Sequence, residues 1–307
     1  MGIAKYLKEI GRGSAGARPL SREQAADLMG QLLDGQLSDL EIGAFCLAMR
    51  IKGETPEEMA GFLDATQARL HPLPYAGPVP AVVLPSYNGS RRLPLLTPLL
   101  AALLAREGLS VVIHGARTEA LRVTSEQVMT ECGIRPLEHP RPLRAGEVVY
   151  VPTQVLTPAL QQLLEVRRVV GLRNPAHSLV KLMNPIDGPA LLVGCYTHPE
   201  YASSMADTFT LRKTLAVLLR GTEGEPVADP RRAPMIEGFY LGQRTLLQPA
   251  QEGPLASLPS FPTDTDPVST ARYTQDILQG HQPIPIPVQQ QVACLKAFAL
   301  KATAGST

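Results

Sequence analysis

The amino-acid sequence predicts an α/β protein of two domains: a small N-terminal all-helical domain, residues 1–72, and a larger α/β domain with a mostly parallel sheet, residues 73–307. Three observations predict it. The 307 residues are enough for two domains, each with its own core. Three capped helical segments follow one another, with short connections, before residue 71. Beyond residue 80, short apolar runs alternate with helical patterns, the order expected of βαβ units.

Each element has a local cause. Ser21 supplies an N-cap oxygen and Gln24, three residues on, completes a capping box. The helix it opens carries Ala25, Leu28, Met29 and Leu33 and stops near Gly35. Ser38-Asp-Leu-Glu41 opens a second helix, with Ile42, Phe45, Leu47 and Met49, ending near Gly53. Thr55-Pro-Glu-Glu58 combines an N-cap, proline at the first helical position and acids beside the positive helix end, so a third helix runs to about Leu70. His71 to Pro80, rich in Pro and Gly, reads as the crossing between domains. Strands are expected at 81–84, 111–113, 148–151, 191–193 and 215–219, and helices at 98–107, 125–132, 158–166 and 201–209. Residues 221–265 read as loop with a weak pattern at Phe239-Tyr-Leu, and helices at about 267–280 and 287–302 follow.

Hydrophobic residues make up 44% of the chain and the mean hydropathy is +0.01, a globular composition. No apolar run reaches the ~20 residues a spanning helix needs. The longest, from Leu95, is broken by Pro98 and ends at Arg106-Glu107. The first residues lack the apolar core of a signal peptide, so a cytoplasmic protein without a membrane partner is expected. Cys46, Cys132, Cys195 and Cys294 are far apart with no CxxC spacing, which favours reduced thiols over zinc or a redox pair. A net charge of +1 argues against a generically basic nucleic-acid binder. The cations are nevertheless segregated. Arg91, Arg92, Arg106, Arg117 and Arg122 stand against only Glu107 and Glu119 between residues 86 and 122. Lys5, Lys8, Arg12, Arg18 and Arg22 stand against only Glu9 at the start. Arg12 lies in the Gly-rich 11–16 and Arg18 just beyond it, a stretch that reads equally as a mobile basic arm or a solvated start. No nucleophile elbow, metal-ligand spacing, helix-turn-helix, zinc finger or RNP motif is present.

The stretches Leu20-Ser-Arg-Glu-Gln-Ala25 and Leu33-Asp-Gly-Gln-Leu-Ser-Asp-Leu-Glu-Ile-Gly-Ala-Phe-Cys-Leu-Ala-Met-Arg-Ile-Lys-Gly-Glu-Thr-Pro-Glu-Glu-Met-Ala-Gly-Phe62 resemble the helical domain of anthranilate phosphoribosyltransferase, which pyrimidine nucleoside phosphorylases share. The resemblance continues at Ile113-His-Gly-Ala-Arg117, Val166-Arg-Arg-Val-Val-Gly-Leu-Arg173, Met183-Asn-Pro185 and the last two helices, so it covers essentially the whole chain. It implies a nucleoside phosphorylase/phosphoribosyltransferase-like fold, paired as a homodimer through the helical domain.

The residues that serve the transfer reaction in that family differ here. Its Gly-Thr-Gly-Gly-Asp-Gly loop lets backbone amides wrap the diphosphate of phosphoribosyl pyrophosphate. The matching stretch is Pro85, Ser86, Tyr87, Asn88, Gly89 and Ser90, where Pro85 lacks an amide hydrogen and Tyr87 and Asn88 fill ligand space. The family's phosphate-holding Lys and Asn fall on Ile113 and Ala116, around His114 and Gly115, which remain. Its magnesium-holding Asp-Glu pair falls on Pro226 and Val227, without side-chain oxygens; Glu223 and Glu225 are nearby substitutes. Together these altered positions make a degenerate phosphoribosyl site with no catalytic residue, no cofactor and no metal.

The pattern resembles the YbiB-type paralogues of that family, on Lys8-Glu-Ile-Gly-Arg-Gly13, Pro85-Ser-Tyr-Asn-Gly89, Arg173-Asn174 with Ala176-His177 and Lys181, Thr197-His-Pro-Glu-Tyr201 and Gly221-Thr-Glu-Gly-Glu225. That resemblance implies sequence-independent binding of nucleic acid, single- or double-stranded, by a homodimer. The expected phosphate ligands are Arg91, Arg92, Arg117, Arg122, Arg167, Arg173 and Lys181. Each has a simpler reading. Arg91 and Arg92 suit an exposed loop. Arg167 and Arg168 follow a helix and suit its negative end. Lys181 sits in an otherwise apolar helix and must reach solvent or a partner. His114 and His177 suit structural hydrogen bonds, and Tyr87 offers a ring for base stacking. The alternative is an anthranilate phosphoribosyltransferase-like enzyme using phosphoribosyl pyrophosphate and Mg2+.

Overall fold

The computed structural model describes residues 2–253 and 258–304. The N-terminal part holds α1 (Ala4–Ile10), α2 (Gly13–Gly16), α3 (Arg22–Leu33), α4 (Asp39–Lys52) and α5 (Pro56–Gln67). Capping boxes start the three longer helices: Ser21 with Gln24, Ser38 with Glu41 and Thr55 with Glu58. Each such cap is worth ~1 kcal/mol. The two short helices ahead of Ser21 correct the expectation of three. They lack N-cap side chains, and Ile3, Tyr6 and Ile10 hold the first one down by burial.

The second part runs β1 (Leu73–Pro74), β2 (Ala81–Ser86), α6 (Thr97–Arg106), β3 (Val111–Gly115), α7 (Ser125–Glu131), β4 (Val148–Pro152), α8 (Thr153–Leu156), α9 (Pro158–Val170), α10 (Ala176–Leu179), β5 (Ile186–Asp187), β6 (Ala190–Tyr196), α11 (Pro199–Arg212), β7 (Ala216–Arg220), β8 (Ile236–Tyr240), β9 (Gln243–Gln248), α12 (Pro267–Leu278) and α13 (Ile286–Ala304). The main sheet has the order β4-β3-β2-β6-β7-β8-β9. It is parallel from β4 to β7, and β8 and β9 add an antiparallel hairpin. That hairpin corrects the loop reading of 221–265; residues 254–257 of that stretch lie outside the described residues. Lys181 is also corrected. It lies in a turn just beyond the single-turn α10, because Pro185 and the short β5 pairing with β1 leave no room for a longer helix. Arg167 and Arg168 do not follow α9 but form its last turn.

Alternate residues of each strand face opposite layers. Val83, Val112, Val149 and Leu192 pack toward the helical domain, α9 and α11. Val82, Leu84, Val111, Ile113 and Leu191 pack toward α6, α12 and α13. Asp64 of α5 ties the domains, accepting from Arg22 at 2.6 Å and also pairing with Arg212 of α11. Among the described residues no helix is long and apolar enough to cross a membrane.

Candidate functional site

The chain leaves β2 toward β3 on one side and later returns through β6 on the other. Such a switch point opens a crevice at the carboxyl ends of the strands. The segments after β2, β3, β6 and β7 all lie at this end, and they hold most of the expected site residues.

The segment after β2 turns its backbone amides onto the loop after β7. Glu225 is fully buried. Its Oε1 accepts from the amides of Asn88 at 2.9 Å and Gly89 at 2.7 Å, and its Oε2 from the hydroxyls of Ser86 at 2.5 Å and Thr97 at 3.1 Å. The Glu223 carboxylate accepts from the amides of Arg91 at 3.2 Å, Arg92 at 2.9 Å and Leu93 at 3.2 Å. Five backbone N–H groups thus form an anion-binding nest, and the protein's own carboxylates fill it. The local sequence permits this insertion. Glu223 adopts φ +52 and Gly224 φ +86, where a Cβ on Gly224 would meet Asn88 Nδ2 at 1.8 Å.

Tyr87 points the other way, into the core. Its hydroxyl is 2.8 Å from His114 Nδ1 and 2.8 Å from Thr153 Oγ1, and the ring is only 4% exposed. The stacking role considered for Tyr87 is therefore excluded by burial. His114 is sealed beside it, and burial pushes its pKa down to about 3. Ser90 is buried and pairs its backbone with Val123. Pro85 pairs with His114, and Ser86 with Gly115, across β2 and β3. His114 and Gly115 remain as family features, but His114 has become core.

The expected basic residues divide into three groups. Arg91, Arg92 and Arg117 are exposed, and their side chains make no hydrogen bond or ion pair with the described residues. Arg122, Arg167 and Arg173 gather around Glu119, which accepts from Arg167 at 2.5 Å and lies 3.6 Å from Arg173. Arg122 also donates to the Gly89 carbonyl at 3.2 Å and reaches Glu223 at 4.0 Å. Burial pushes the Glu119 carboxyl upward, but the Arg167 hydrogen bond and the charges of Arg167, Arg173 and Arg122 hold it below its ordinary value. Burial and the neighbouring Arg167 lower Arg173. The third group lines a cavity of about 460 Å³ between α4 and the α/β domain, with Lys181, Arg173 and His177 on one side and Arg50 and Lys52 on the other. Lys181 donates to the Gly224 carbonyl at 3.5 Å. His177 Nδ1 lies 3.3 Å from the Asn174 amide and 3.2 Å from Asn174 Oδ1, and its buried Nε2 has no hydrogen-bond partner among the described residues. Burial, with the charge of Arg173, lowers His177 to about 4.

Sequence reasoning missed Arg50, Lys52, His198 and Tyr201 in this cavity. Arg50 and Lys52 read as ordinary charges at a helix end, and nothing local says that α4 ends against the other domain. The donor set does not fit a magnesium ion. Both Glu225 oxygens and the Glu223 carboxylate are occupied by N–H and O–H donors, whereas Mg2+ needs free carboxylate and water oxygens. Among the described residues no cluster of three or more His, Cys, Asp or Glu forms a metal-ligand set.

Residues 4–69 match the family model described as glycosyl transferase family, helical bundle domain. The uncharacterized protein YbiB of Escherichia coli (strain K12) is 39% identical over 300 residues, covering 96% of this chain and 93% of the relative. An anthranilate phosphoribosyltransferase of Nocardioides sp. is 31% identical over 212 residues, covering 67% of this chain and 61% of the relative. Among solved structures, anthranilate phosphoribosyltransferase from Thermus thermophilus shares the fold, with a TM-score of 0.73 at 23% identity over 98% of this chain and 89% of that one. The helical bundle, the switch-point crevice and the near full-length similarity agree, and the chain belongs to the anthranilate phosphoribosyltransferase-like glycosyl transferase family, together with YbiB.

Proposed function

We propose that this chain is a non-catalytic, sequence-independent nucleic-acid-binding protein of the cytoplasm, working as a homodimer on a phosphoribosyltransferase scaffold. The observation that carries the reading is the filled nest. Glu223 and Glu225 take the amides that would hold a diphosphate, while seven cationic side chains stay at the same end of the sheet. Exposed arginines without partners suit phosphates that arrive along a chain, each as a charge-assisted contact. The dimer is supported by an apolar stripe on α4, where Leu40, Leu47 and Ile51 are 85%, 46% and 55% exposed. Two copies double the basic track.

The test is a fluorescence titration of labelled single-stranded and duplex oligonucleotides across salt concentrations. About six neutralised phosphates give a log–log salt slope of about −5 to −6 on duplex DNA. Combined substitution Arg91→Ala, Arg92→Ala and Lys181→Ala should weaken binding to all sequences alike and flatten that slope by about three. No binding at low salt rejects the reading.

The second reading is a phosphoribosyltransferase using phosphoribosyl pyrophosphate and Mg2+, favoured by the relatives named for that activity. It requires the loop of Glu223 and Glu225 to leave the nest. A thermal shift with phosphoribosyl pyrophosphate and magnesium at millimolar concentration would support it, and none would count against it.

A further inference from the structure

The three arginines around Glu119 keep an excess of positive charge even with Glu223 4.0 Å from Arg122. Arg122, Arg167 and Arg173 come from two separate segments, the loop after β3 and the end of α9 with its exit. They converge where Glu119 Oε1 takes the Arg167 Nη1 hydrogen bond. All four side chains are partly open to solvent, between 26% and 42% exposed, so an arriving anion has access. Arg173 also lines the interdomain cavity beside His177, whose buried Nε2 has no hydrogen-bond partner among the described residues. The arrangement is that of an anion site with a resident anion.

We propose that Glu119 is a displaceable internal counter-ion that makes this arginine cluster selective for polyanions over single phosphates. The proposal rests on the nucleic-acid reading above and names the residue that sets its ligand class. Glu119 is only three residues from Arg122 in the chain, so its effective concentration at the cluster exceeds that of any dilute free anion. A lone phosphate must displace it and gains nothing elsewhere. A phosphodiester chain that displaces it also delivers neighbouring phosphates to Arg91, Arg92 and Arg117, whose side chains are exposed and unpaired among the described residues. The displaced carboxylate swings into solvent on the exposed loop that holds Ala120 and Leu121. No bond is made or broken, and the selectivity comes from competition for the same N–H groups.

The test compares wild type with Glu119→Gln and Glu119→Ala, using a labelled single-stranded oligonucleotide and, separately, inorganic phosphate. Removing one partly exposed competing charge should tighten oligonucleotide binding about fivefold in both variants. Calorimetry should detect saturable phosphate binding in the variants at a few millimolar and none in wild type at about 10 mM. The gain must vanish in the Arg167→Gln, Arg173→Gln background, a coupling that a merely structural role for Glu119 would not produce. Oligonucleotide affinity unchanged in both variants overturns the inference and leaves the nucleic-acid reading standing. Phosphate binding to wild type as tightly as to the variants overturns it too. If none of the proteins binds the oligonucleotide, the nucleic-acid reading falls, and with it the selectivity assigned to Glu119.

Discussion

Replacing Glu225 by alanine isolates what the filled nest does for the fold. The carboxylate takes four donors from a site with no solvent access. Without it, the hydroxyls of Ser86 and Thr97 can rotate, and Ser86 already has Ser125 Oγ at 2.7 Å. The amides of Asn88 and Gly89 cannot turn. Two stranded buried donors at about 1–3 kcal/mol each give a loss of roughly 2–6 kcal/mol, toward the low end if water enters. Glu225→Gln keeps the shape. Its carbonyl can serve the two amides while its NH2 donates to the two hydroxyl oxygens, so only charge assistance goes, about 1 kcal/mol. Thermal melting should place Glu225→Ala about 5–15 °C below wild type, with Glu225→Gln within a few degrees. Millimolar pyrophosphate should restore much of the loss in Glu225→Ala, because it can reoccupy the amides, and should leave wild type unmoved. If Glu225→Ala melts with wild type, the nest is not held closed by this carboxylate and the account of the lost diphosphate site fails.

Two further outcomes follow from the same geometry. The buried His114 stays neutral in the fold with a pKa of about 3 against an ordinary 6.5, so the stability it contributes is complete above pH 6.5 and is lost as pH falls toward 3. Near pH 4.5 the loss is about 3 kcal/mol, and His114→Asn should reduce the fall in urea stability between about pH 7 and 4.5 by a comparable amount; equal falls in both proteins would refute it. Leu47→Glu, set in the middle of the exposed α4 stripe, should convert the proposed dimer to monomer in light scattering while shifting melting by less than about 0.5 kcal/mol, since Leu47 touches little within its own chain. A variant that stays dimeric would move the interface elsewhere.

Much of the fold was legible because its signals are local. Ser21, Ser38 and Thr55 each cap a helix through a residue three positions on, and the apolar runs at 82–84 and 111–113 are buried on both faces of the sheet. The hairpin of β8 and β9 was not legible. Its first strand keeps Ile236 and Phe239 inside, but its second, Gln243–Gln248, is mostly exposed and shows no alternation. The site divides the same way. That Pro85 to Ser90 departs from a glycine-rich diphosphate loop could be read from residue type alone. That Glu223 and Glu225 close on those amides could not, because the donors and acceptors lie more than 130 residues apart. Nor could the sharing of Glu119 between Arg167 and Arg173, which depends on α9 ending beside the loop after β3.

The altered positions of this family site form one structural change. A nest of backbone amides binds anions whatever its side chains are, and leaving its buried and part-buried donors unsatisfied would destabilise the sheet end. On the proposed reading, a chain without a diphosphate there needs another acceptor. Glu223 and Glu225 supply it, which requires Gly224 at positive φ and side-chain donors at Ser86 and Thr97. Once the carboxylates are in place, the glycine-rich loop has no ligand to admit and Tyr87 and Asn88 are tolerated. On the same reading, the arginines around the rim have no bound diphosphate to balance them. Arg122 leans on Glu223, and Arg167 and Arg173 lean on Glu119, while Arg91, Arg92 and Arg117 stand free at the surface. Positive charge thus stands on the outer lip of the cleft, where the proposed polyanion would meet it.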